Sequence, residues 1–257
     1  MFDAVKAKND CVQWIRDWFE ENGKDCNAVI GISGGKDSTV VAALCVEALG
    51  KDRVYGIMMP NGFQADIIDA KTVCDFLQIH SYEVDIKKAY DAILSEIGWA
   101  VYGMSQLKNT ISEQTKINLP PRIRMTTLYA ISQSLNGRVV GTDNASEAYI
   151  GYSTRWGDNV ADLMPILHFT SDEVVAIGDS LGLPYELTHK TPSDGLCGKT
   201  DEDNFGFTYA ALNKYIRTGV CEDEVIKARI DDLHNKNLFK LQPIPKFIPM
   251  EVHTDVV

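Results

Sequence analysis

The sequence predicts an α/β protein built on a doubly wound, mostly parallel sheet flanked by helices. Three short apolar runs have the composition of buried strands: Ala28-Val29-Ile30, 54–59 and Val139-Val140-Gly141. Stretches with helical periodicity lie between and around them. Strands that alternate with helices indicate a parallel sheet covered on both faces. Ligands of such sheets bind at the carboxyl ends of the strands. Residues 1–257 are expected to form one domain.

The elements expected along the chain are helices at 5–21, 38–49, 66–77, 87–97 and 121–136, a strand at 81–85, and helices at 170–181, 208–217 and 222–235. Pro121 is expected to open its helix, since proline favours the first helical turn. Thr170 and Glu173 have the spacing of a capping box. The polar stretch 98–118 is expected to be an ordered excursion or a mobile loop, and the proline-containing tail 241–249 to be extended.

Composition excludes several classes of function. The 257 residues are enough for a substantial core. Their net charge of −11 disfavours a protein that binds nucleic acid over a wide surface. No apolar run approaches the ~20 residues of a membrane span, and the residues at the N-terminus give no reason to expect a secretory signal. The six cysteines form no C-x-x-C pair, which is typical of reduced thiols in a cytoplasmic protein.

The segment Gly31-Ile32-Ser33-Gly34-Gly35-Lys36-Asp37-Ser38 follows the first predicted strand and starts a helix. A glycine turn there leaves backbone N–H groups at the positive end of the helix dipole, which suits phosphate. The spacing is neither that of a Walker loop nor that of a dinucleotide fingerprint. A carboxylate beside phosphate requires an intervening metal ion, so Asp37 is a candidate Mg²⁺ ligand.

A second candidate site follows the strand Val139-Val140. The segment 141–147, Gly-Thr-Asp-Asn-Ala-Ser-Glu, ends in Glu147. Mg²⁺ takes one or two carboxylates and completes its shell with phosphate oxygens and water, so Asp37 and Glu147 are the predicted pair. The alternative for Glu147 alone is a solvated acid at a helix start.

Further motifs follow in order: Asn118-x-x-x-Arg122-x-Arg124-Met125, Gly151-x-x-Thr154-x-x-Gly157-Asp158, Ala161-Asp162-Leu163-x-Pro165, Lys190-x-Pro192-Ser193 and Thr200-Asp201-Glu202-Asp203. The first loop resembles that of the ATP pyrophosphatases. The whole series, from about 28 to 216, resembles ammonia-dependent NAD synthetase, and implies an adenine nucleotide α-hydrolase-like, Rossmann-like fold.

The resemblance implies a ligase that makes NAD from deamido-NAD, ATP and ammonia through an adenylated carboxylate, with Mg²⁺ as cofactor. It implies catalytic roles for Asp37 and Lys190. By motif position the ATP contacts are Gly31, Ile32, Ser33, Gly34, Gly35, Lys36, Asp37, Ser38, Thr142 and Ser193. The implied deamido-NAD contacts are Arg122, Arg155, Asp162 and Lys240, and the metal ligands are Asp37 and Glu147.

Some of these residues also have a purely structural interpretation. Arg122 could be an exposed charge on a helix, and Lys190 could be a solvated lysine in a loop. Asp201 and Glu202 are interpreted as helix-flanking acids and left out of the metal site.

The chain departs from the family pattern at three positions. Arg155 stands where many members have Lys, Ser171 where an ATP-contacting Lys is frequent, and Phe239 where His precedes Lys240. The resemblance also implies a homodimer. Because the synthetase segment begins by about residue 28, no glutaminase domain is expected, and free ammonia is the expected nitrogen source.

Two other hypotheses remain at this point. One is another enzyme with the same loop, an amidotransferase synthetase subunit of the GMP synthetase type or a tRNA thiolase. A thiolase requires paired cysteines and a basic surface, and neither is present. The other is a non-catalytic nucleotide sensor, which the departures at Ser171 and Phe239 favour and the presence of Asp37, Thr142 and Glu147 opposes.

Overall fold

The computed structural model describes residues 2–64, 67–102, 111–189 and 200–247. Its strands are β1 (Asn27–Gly31), β2 (Val54–Met58), β3 (His80–Glu83) and β4 (Gly137–Val140). Its helices are α1 (Ala4–Asn22), α2 (Lys36–Leu49), α3 (Ile67–Leu77), α4 (Lys87–Tyr102), α5 (Glu113–Ser134), α6 (Ala145–Ile150), α7 (Ser171–Ser180), α8 (Tyr185–Thr188), α9 (Asp201–Phe205), α10 (Tyr209–Thr218) and α11 (Glu224–Asn237). Short 3-10 turns cover Lys51–Arg53 and Leu238–Lys240.

The four strands form one sheet in the order β3-β2-β1-β4, and every pair is parallel. β1 lies inside the sheet, and its central side chains are fully buried. Ala28 and Ile30 point into one apolar cluster while Val29 points into another, as alternating strand residues must. The predicted α/β class with a parallel sheet is therefore confirmed.

Helices cover both faces of this sheet. On one face α1, α2 and α7 pack against one another, and Val12, Ile15 and Phe19 of α1 are buried among them. On the other face α5 packs on β1 and β4 through residues such as Leu128. The position of α2 depends on β1, because the short loop 32–35 joins the end of β1 to the start of α2.

A smaller apolar cluster is formed by the later helices. Ile150 of α6, Leu212 of α10 and Ile230 of α11 are buried together with Phe205 and Phe207. This cluster brings the chain after residue 200 beside the segment that follows β4. A single domain over 1–257 stays a prediction.

The expectation that Pro121 opens a helix is wrong. α5 begins eight residues earlier, at Glu113, where the side chain of Ser112 accepts a hydrogen bond from Thr115 N. Pro120 and Pro121 are buried inside the helix. Proline costs an interior helical hydrogen bond, so packing overrides local preference here.

The stretch 98–118 is also more regular than expected. α4 continues through it to Tyr102, and α5 occupies it from Glu113 onward, while residues 103–110 lie outside the described residues. The capping box of α7 is confirmed, since Thr170 N donates to Glu173 Oε2 at 2.9 Å. The tail carries neither helix nor strand over 241–247.

The cysteines agree with the expected reduced state. Within the described ranges Cys11, Cys26, Cys45, Cys74 and Cys221 are free, and the first four are buried. None of the helices in the described part of the chain is both long and apolar enough to cross a membrane.

Candidate active site

The loop between β1 and α2 has the geometry of a phosphate site. β1 ends at Gly31 and α2 begins at Lys36. Gly34 has a φ of +80°, in the left-handed region that favours glycine. Gly35 precedes the 14-residue helix without a side-chain cap. The first N–H groups of α2 therefore lack a side-chain acceptor, at the positive end of its dipole.

Two serines hold the turn itself. Ser33 Oγ accepts a hydrogen bond from Gly35 N at 3.1 Å, and Ser38 Oγ donates to Gly35 O at 3.1 Å. The two hydroxyl oxygens lie 3.2 Å apart. Both serines therefore stabilise the conformation of the loop.

The segment after β4 meets this loop because β4 pairs with β1. Asn144 Oδ1 accepts hydrogen bonds from Ser146 N and Glu147 N at 2.9 and 3.1 Å, which caps α6. Asn144 Nδ2 donates to Asp37 Oδ1 at 3.1 Å. Asn144 thus joins the two predicted motifs. Sequence reasoning missed it, although an Asn three residues before a Glu is a helix-start signal.

A cavity of about 750 Å³ opens where these segments meet α5 and residues 151–158. Most of the predicted site residues line it: Gly31, Ile32, Ser33, Gly35, Lys36, Asp37, Ser38, Arg122, Thr142, Glu147, Arg155 and Lys240. Gly34 and Asp162 are not among its lining residues. Lys190 and Ser193 lie outside the described residues. A volume of this size is typical of small-molecule and cofactor sites.

Carboxylates crowd one side of the cavity. Asp143 is 7% exposed, and burial raises its pKa to about 8, with further contributions from Asp158 and Asp37. Burial also raises the pKa of Glu147, and the charges of Asp37 and Asp143 add to that effect while Lys36 opposes it. Burial is the largest cause for both acids, and the charges of the neighbouring carboxylates add to it.

Lys36 is the cation closest to Asp37 in the described site. Its Nζ lies 2.7 Å from Asp37 Oδ2, and the two side chains are 6% and 19% exposed. Burial acts to lower the pKa of Lys36, but Asp37, Glu147 and Asp201 outweigh it, so the pKa is raised. The ammonium is held charged inside the wall of the cavity.

Asp201 belongs to the same side of the cavity, although the sequence interpretation left it out. It is 4% exposed and lines the cavity. Tyr209 OH donates to Asp201 Oδ2 at 3.1 Å and lies 3.5 Å from Glu147 Oε1. Burial raises the pKa of Tyr209, and the neighbouring carboxylates raise it further. An acid directly after the N-cap Thr200 is typical of any helix start, so no local signal in the sequence indicates this burial.

Two further motifs meet where α5 and residues 151–158 line the cavity. Thr154 Oγ1 donates to Asn118 Oδ1 at 2.9 Å, and Arg122 Nε donates to Arg155 O at 3.2 Å. α5 and the segment 151–158 are thus connected at two points. The predicted substrate residues Arg122 and Arg155 share one wall.

The guanidinium of Arg155 lies between two aromatic rings. Its Cζ is 5.0 Å from the ring centroid of Trp156 and 5.1 Å from that of Phe239. Trp156 has a φ of +63°, which is rare for a bulky residue. Phe239, which departs from the family's His, therefore supports the arginine through cation–π contact.

Lys240 binds backbone carbonyls. Its Nζ donates to Gly151 O at 2.7 Å and to Ser153 O at 2.9 Å. Burial lowers its pKa, although Asp158 opposes this. Lys240 thus fixes the turn after α6 beside the cavity.

Asp162 and Ser171 hold the protein scaffold. Asp162 Oδ2 accepts from Val139 N at 2.7 Å, and its Oδ1 accepts from Tyr129 OH at 3.2 Å. Ser171 accepts from Asn213 Nδ2 at 3.1 Å and is buried at the start of α7. Asp162 does not line the cavity, so the structure offers no direct contact between this side chain and a substrate bound there.

A family model described as NAD synthase matches residues 7–246. The chain belongs to the NAD synthase family. An NH(3)-dependent NAD(+) synthetase of Finegoldia magna is 35% identical over 239 residues, which cover 91% of this chain and 94% of that relative. Another from Alkaliphilus metalliredigens is 35% identical over 249 residues, covering 94% and 98%. The predicted family and enzyme class, an ammonia-dependent NAD synthetase and thus a ligase, are confirmed.

Solved structures of this NAD synthase family agree with the fold. The NMN synthetase from Francisella tularensis has a TM-score of 0.85 and 32% identity, covering 96% of this chain and 99% of that one. The NH3-dependent NAD synthetase from Campylobacter jejuni has a TM-score of 0.76 and 27% identity, covering 97% and 100%. The match favours this family over the other enzymes that share its phosphate loop.

The donor set of this NAD synthase site fits a shared metal ion. No three His, Cys, Asp or Glu side chains in the described ranges are arranged to hold a metal by themselves. Mg²⁺ takes only one or two carboxylates when phosphate oxygens and water complete its shell. Asp37 and Glu147 both line the cavity, so their carboxylates are available as the two protein ligands of such an ion.

Proposed function

We propose that this enzyme amidates the nicotinate carboxylate of deamido-NAD with ammonia, using ATP. The observation that carries the proposal is the position of Asp37. It stands at the uncapped start of α2 and is hydrogen-bonded to the Asn144 cap of α6. The cavity at this point is lined by Lys36, Asp37 and Ser38 at the start of α2 and by three arginines, Arg122, Arg124 and Arg155.

The reaction has two steps. A carboxylate oxygen of the substrate attacks the α-phosphorus of ATP, the bond from that phosphorus to the bridging oxygen breaks, and pyrophosphate leaves. Ammonia then attacks the acyl carbon, loses its surplus proton to water, and AMP leaves. The N–H groups at the start of α2 would bind the phosphate charge that moves onto pyrophosphate. No side chain acts as a nucleophile.

Asp37 and Glu147 would hold Mg²⁺. When bound, the ion neutralises phosphate charge and makes pyrophosphate a better leaving group. Thr142 and the loop 31–38 would contact ATP, together with Ser193, and Lys190 would supply positive charge near the reacting phosphate. The last two assignments rest on motif position alone.

Arg122 and Arg155 would bind the substrate acid and its phosphates. Guanidinium groups suit both because they donate paired hydrogen bonds in a plane. The stack of Arg155 between Trp156 and Phe239 reduces its conformational freedom before substrate arrives. Asp162 and Lys240 would act on the substrate indirectly, through the backbone that they hold.

The homodimer and the cytoplasmic location stay part of the proposal. The homodimer is implied by the family, and light scattering of the purified protein measures it as a molar mass twice that of the 28.5 kDa chain. The free cysteines of the described residues support a reducing compartment.

The deciding assay combines purified protein, ATP, Mg²⁺, deamido-NAD and ammonium, with NAD and AMP both measured. We expect the two products in equal amounts, and neither without ammonium or ATP. Binding of ATP with no formation of NAD or AMP would contradict the proposal and favour a nucleotide sensor.

A mononucleotide substrate is the second candidate. It is favoured by the TM-score of 0.85 with an NMN synthetase, against 0.76 with an NAD synthetase. The same amide-forming chemistry would then act on the carboxylate of nicotinate mononucleotide. Comparing kcat/KM for the two acids under one set of conditions decides between them.

A further inference from the structure

Lys36 occupies an unusual place in the phosphate loop. It stands between Gly35 and Asp37, and its side chain is 6% exposed rather than directed into solvent. An ATP contact by motif position needs only its backbone. The burial of its ammonium therefore requires a separate explanation, because a buried charge without a partner is strongly destabilising.

The surroundings of Lys36 are acidic. Its Nζ lies 2.7 Å from Asp37 Oδ2 and 5.7 Å from the ring centroid of Tyr209. Tyr209 OH in turn donates to Asp201. The charges of Glu147 and Asp201 also act on the ammonium and favour its protonated form. Lys36 thus sits among the carboxylates that the proposed metal site uses.

We propose that Lys36 is the counter-ion of Asp37 and competes with the divalent metal for it, so that metal binds together with ATP and not before it. This inference rests on the proposed metal site at Asp37 and Glu147. Lys36 is a positioning residue here, since it acts on the metal through Asp37.

The competition follows from charge. An ammonium 2.7 Å from a carboxylate oxygen would stand next to a cation bound at the same carboxylate. Like charges at such short range repel strongly, because the protein around them screens far less than bulk water does. ATP reverses this balance, because its triphosphate brings negative charge for both the metal and the ammonium. Metal alone therefore binds poorly, and metal with ATP binds well.

The test measures binding of Mn²⁺, a substitute for Mg²⁺, by equilibrium dialysis as the ion retained with the protein, so that Mn²⁺ chelated by free ATP is not counted. Wild type is compared with Lys36→Met, with and without ATP, and without deamido-NAD. We expect Lys36→Met to bind Mn²⁺ at least about tenfold more tightly than wild type without nucleotide. With ATP the difference should shrink, because the triphosphate neutralises the ammonium in wild type.

Lys71→Met is the matched control. Lys71 pairs with Glu83 at 2.8 Å on the surface, and their side chains are 51% and 44% exposed. It removes one ion-paired lysine without touching the cavity, so its Mn²⁺ affinity should equal that of wild type. Lys36→Gln is the second variant if Lys36→Met fails to fold, because glutamine can still donate to Asp37 without a charge.

The outcomes separate two failures. In one outcome wild type binds Mn²⁺ with ATP, but without nucleotide both Lys36 variants have the same Mn²⁺ affinity as wild type. The competition is then refuted, and the metal site stands. If no variant binds Mn²⁺ even with ATP, the proposed metal site fails and this inference fails with it. Tighter binding by Lys71→Met would show a general charge effect and would also overturn the assignment to Lys36.

Discussion

Both carboxylate oxygens of Asp37 have protein partners, one the Lys36 ammonium and the other the Asn144 amide. The carboxylate is therefore oriented by contacts on both sides of the junction between α2 and α6. The hydrogen bond from Asn144 does not require a carboxylate here, since an amide oxygen could accept it equally well, but the buried Lys36 ammonium needs a negative partner. What distinguishes the acid from an amide at this position is its charge, and that is the property that a substitution can test.

Asp37→Asn should leave a folded protein with a lower melting temperature, because the buried Lys36 ammonium loses its counter-ion, and it should reduce turnover by roughly 100-fold or more. The reason is the loss of a charged oxygen ligand for Mg²⁺ at the leaving phosphate. Pyrophosphate release measures the rate, and thermal unfolding measures the fold. Asp231→Asn is the control, because Asp231 also pairs with a lysine, Lys227 at 2.8 Å, away from the cavity. A normal rate in Asp37→Asn would remove Asp37 from the metal site.

Asp162→Ala should lower the free energy of unfolding by about 1–3 kcal/mol, because it leaves the buried Val139 N–H without its acceptor. Tyr129→Phe removes the other partner of the same carboxylate and keeps its charge. A direct role in substrate binding predicts a higher KM in Asp162→Ala and an unchanged KM in Tyr129→Phe. An unaltered melting temperature in Asp162→Ala would refute the scaffold role.

At the residue scale, motif spacing predicted the segments of the site better than the role of each side chain. Asp37 and Glu147 face one cavity as expected. Asn144 and Asp201 were missed, because a capping Asn and an acid at a helix start are equally common on surface helices that contribute to no site. Their partners lie 107 and 8 residues away, and a local pattern carries no information on which of them becomes buried.

At the scale of elements, α5 shows how packing decides a boundary. Pro121 predicted a helix start, yet the helix begins at Glu113 and passes through both Pro120 and Pro121. Pro121 lines the cavity, and Gly157 packs against it so closely that a Cβ at Gly157 would lie only 3.0 Å from Pro121 Cβ. Tertiary contact along this wall thus stabilises a helix that local preference would have begun later.

Gly151→Ala tests the junction of α6 with α11. Gly151 has a φ of +63°, and a Cβ there would lie 2.2 Å from Asn237 Cβ. Strain and overpacking together should cost roughly 2–4 kcal/mol, measured as a lower free energy of unfolding. KM for the nicotinate substrate should rise as well, since Lys240 is bound to Gly151 O.

Gly219→Ala is the matched control for that junction. Gly219 also ends a helix with a positive φ, +70°, but a Cβ there would meet nothing within 4 Å. Gly219→Ala should therefore lower the free energy of unfolding only by the cost of the backbone strain, about 1–2 kcal/mol. Equal losses in the two variants would show that the contact with Asn237 contributes nothing.

At the scale of the whole molecule, buried acid links stability to pH. The pKa of Asp143 is about 8 in the folded protein and near 3.8 when exposed. The folded state therefore holds a proton that the unfolded state releases between these values, and stability falls as pH rises from about 4 to about 8. Asp143→Asn should flatten the decline in melting temperature between about pH 5 and about pH 8. A decline as steep as that of wild type would contradict this assignment.

The fold class was predictable because it depends on the order of apolar runs, and three of the four strands fall on predicted runs with small shifts. The remaining strand, β3, was also expected, at 81–85 instead of 80–83. The small helices α6, α8 and α9 were not predicted, because four to six residues are too short to display a period. The cluster that joins α6 and α9 to α10 and α11 depends on contacts between distant segments.

The strand order β3-β2-β1-β4 has a consequence for biosynthesis. A ribosome completes β1, β2 and β3 by residue 83, but β4, the other neighbour of β1, is made only at 137–140. Until then one edge of β1 stays open, and an open edge can pair with another chain. The nascent protein therefore depends on the late strand both to close that edge and to bring Glu147 to Asp37. Chains that terminate before residue 137 should aggregate and should bind no nucleotide.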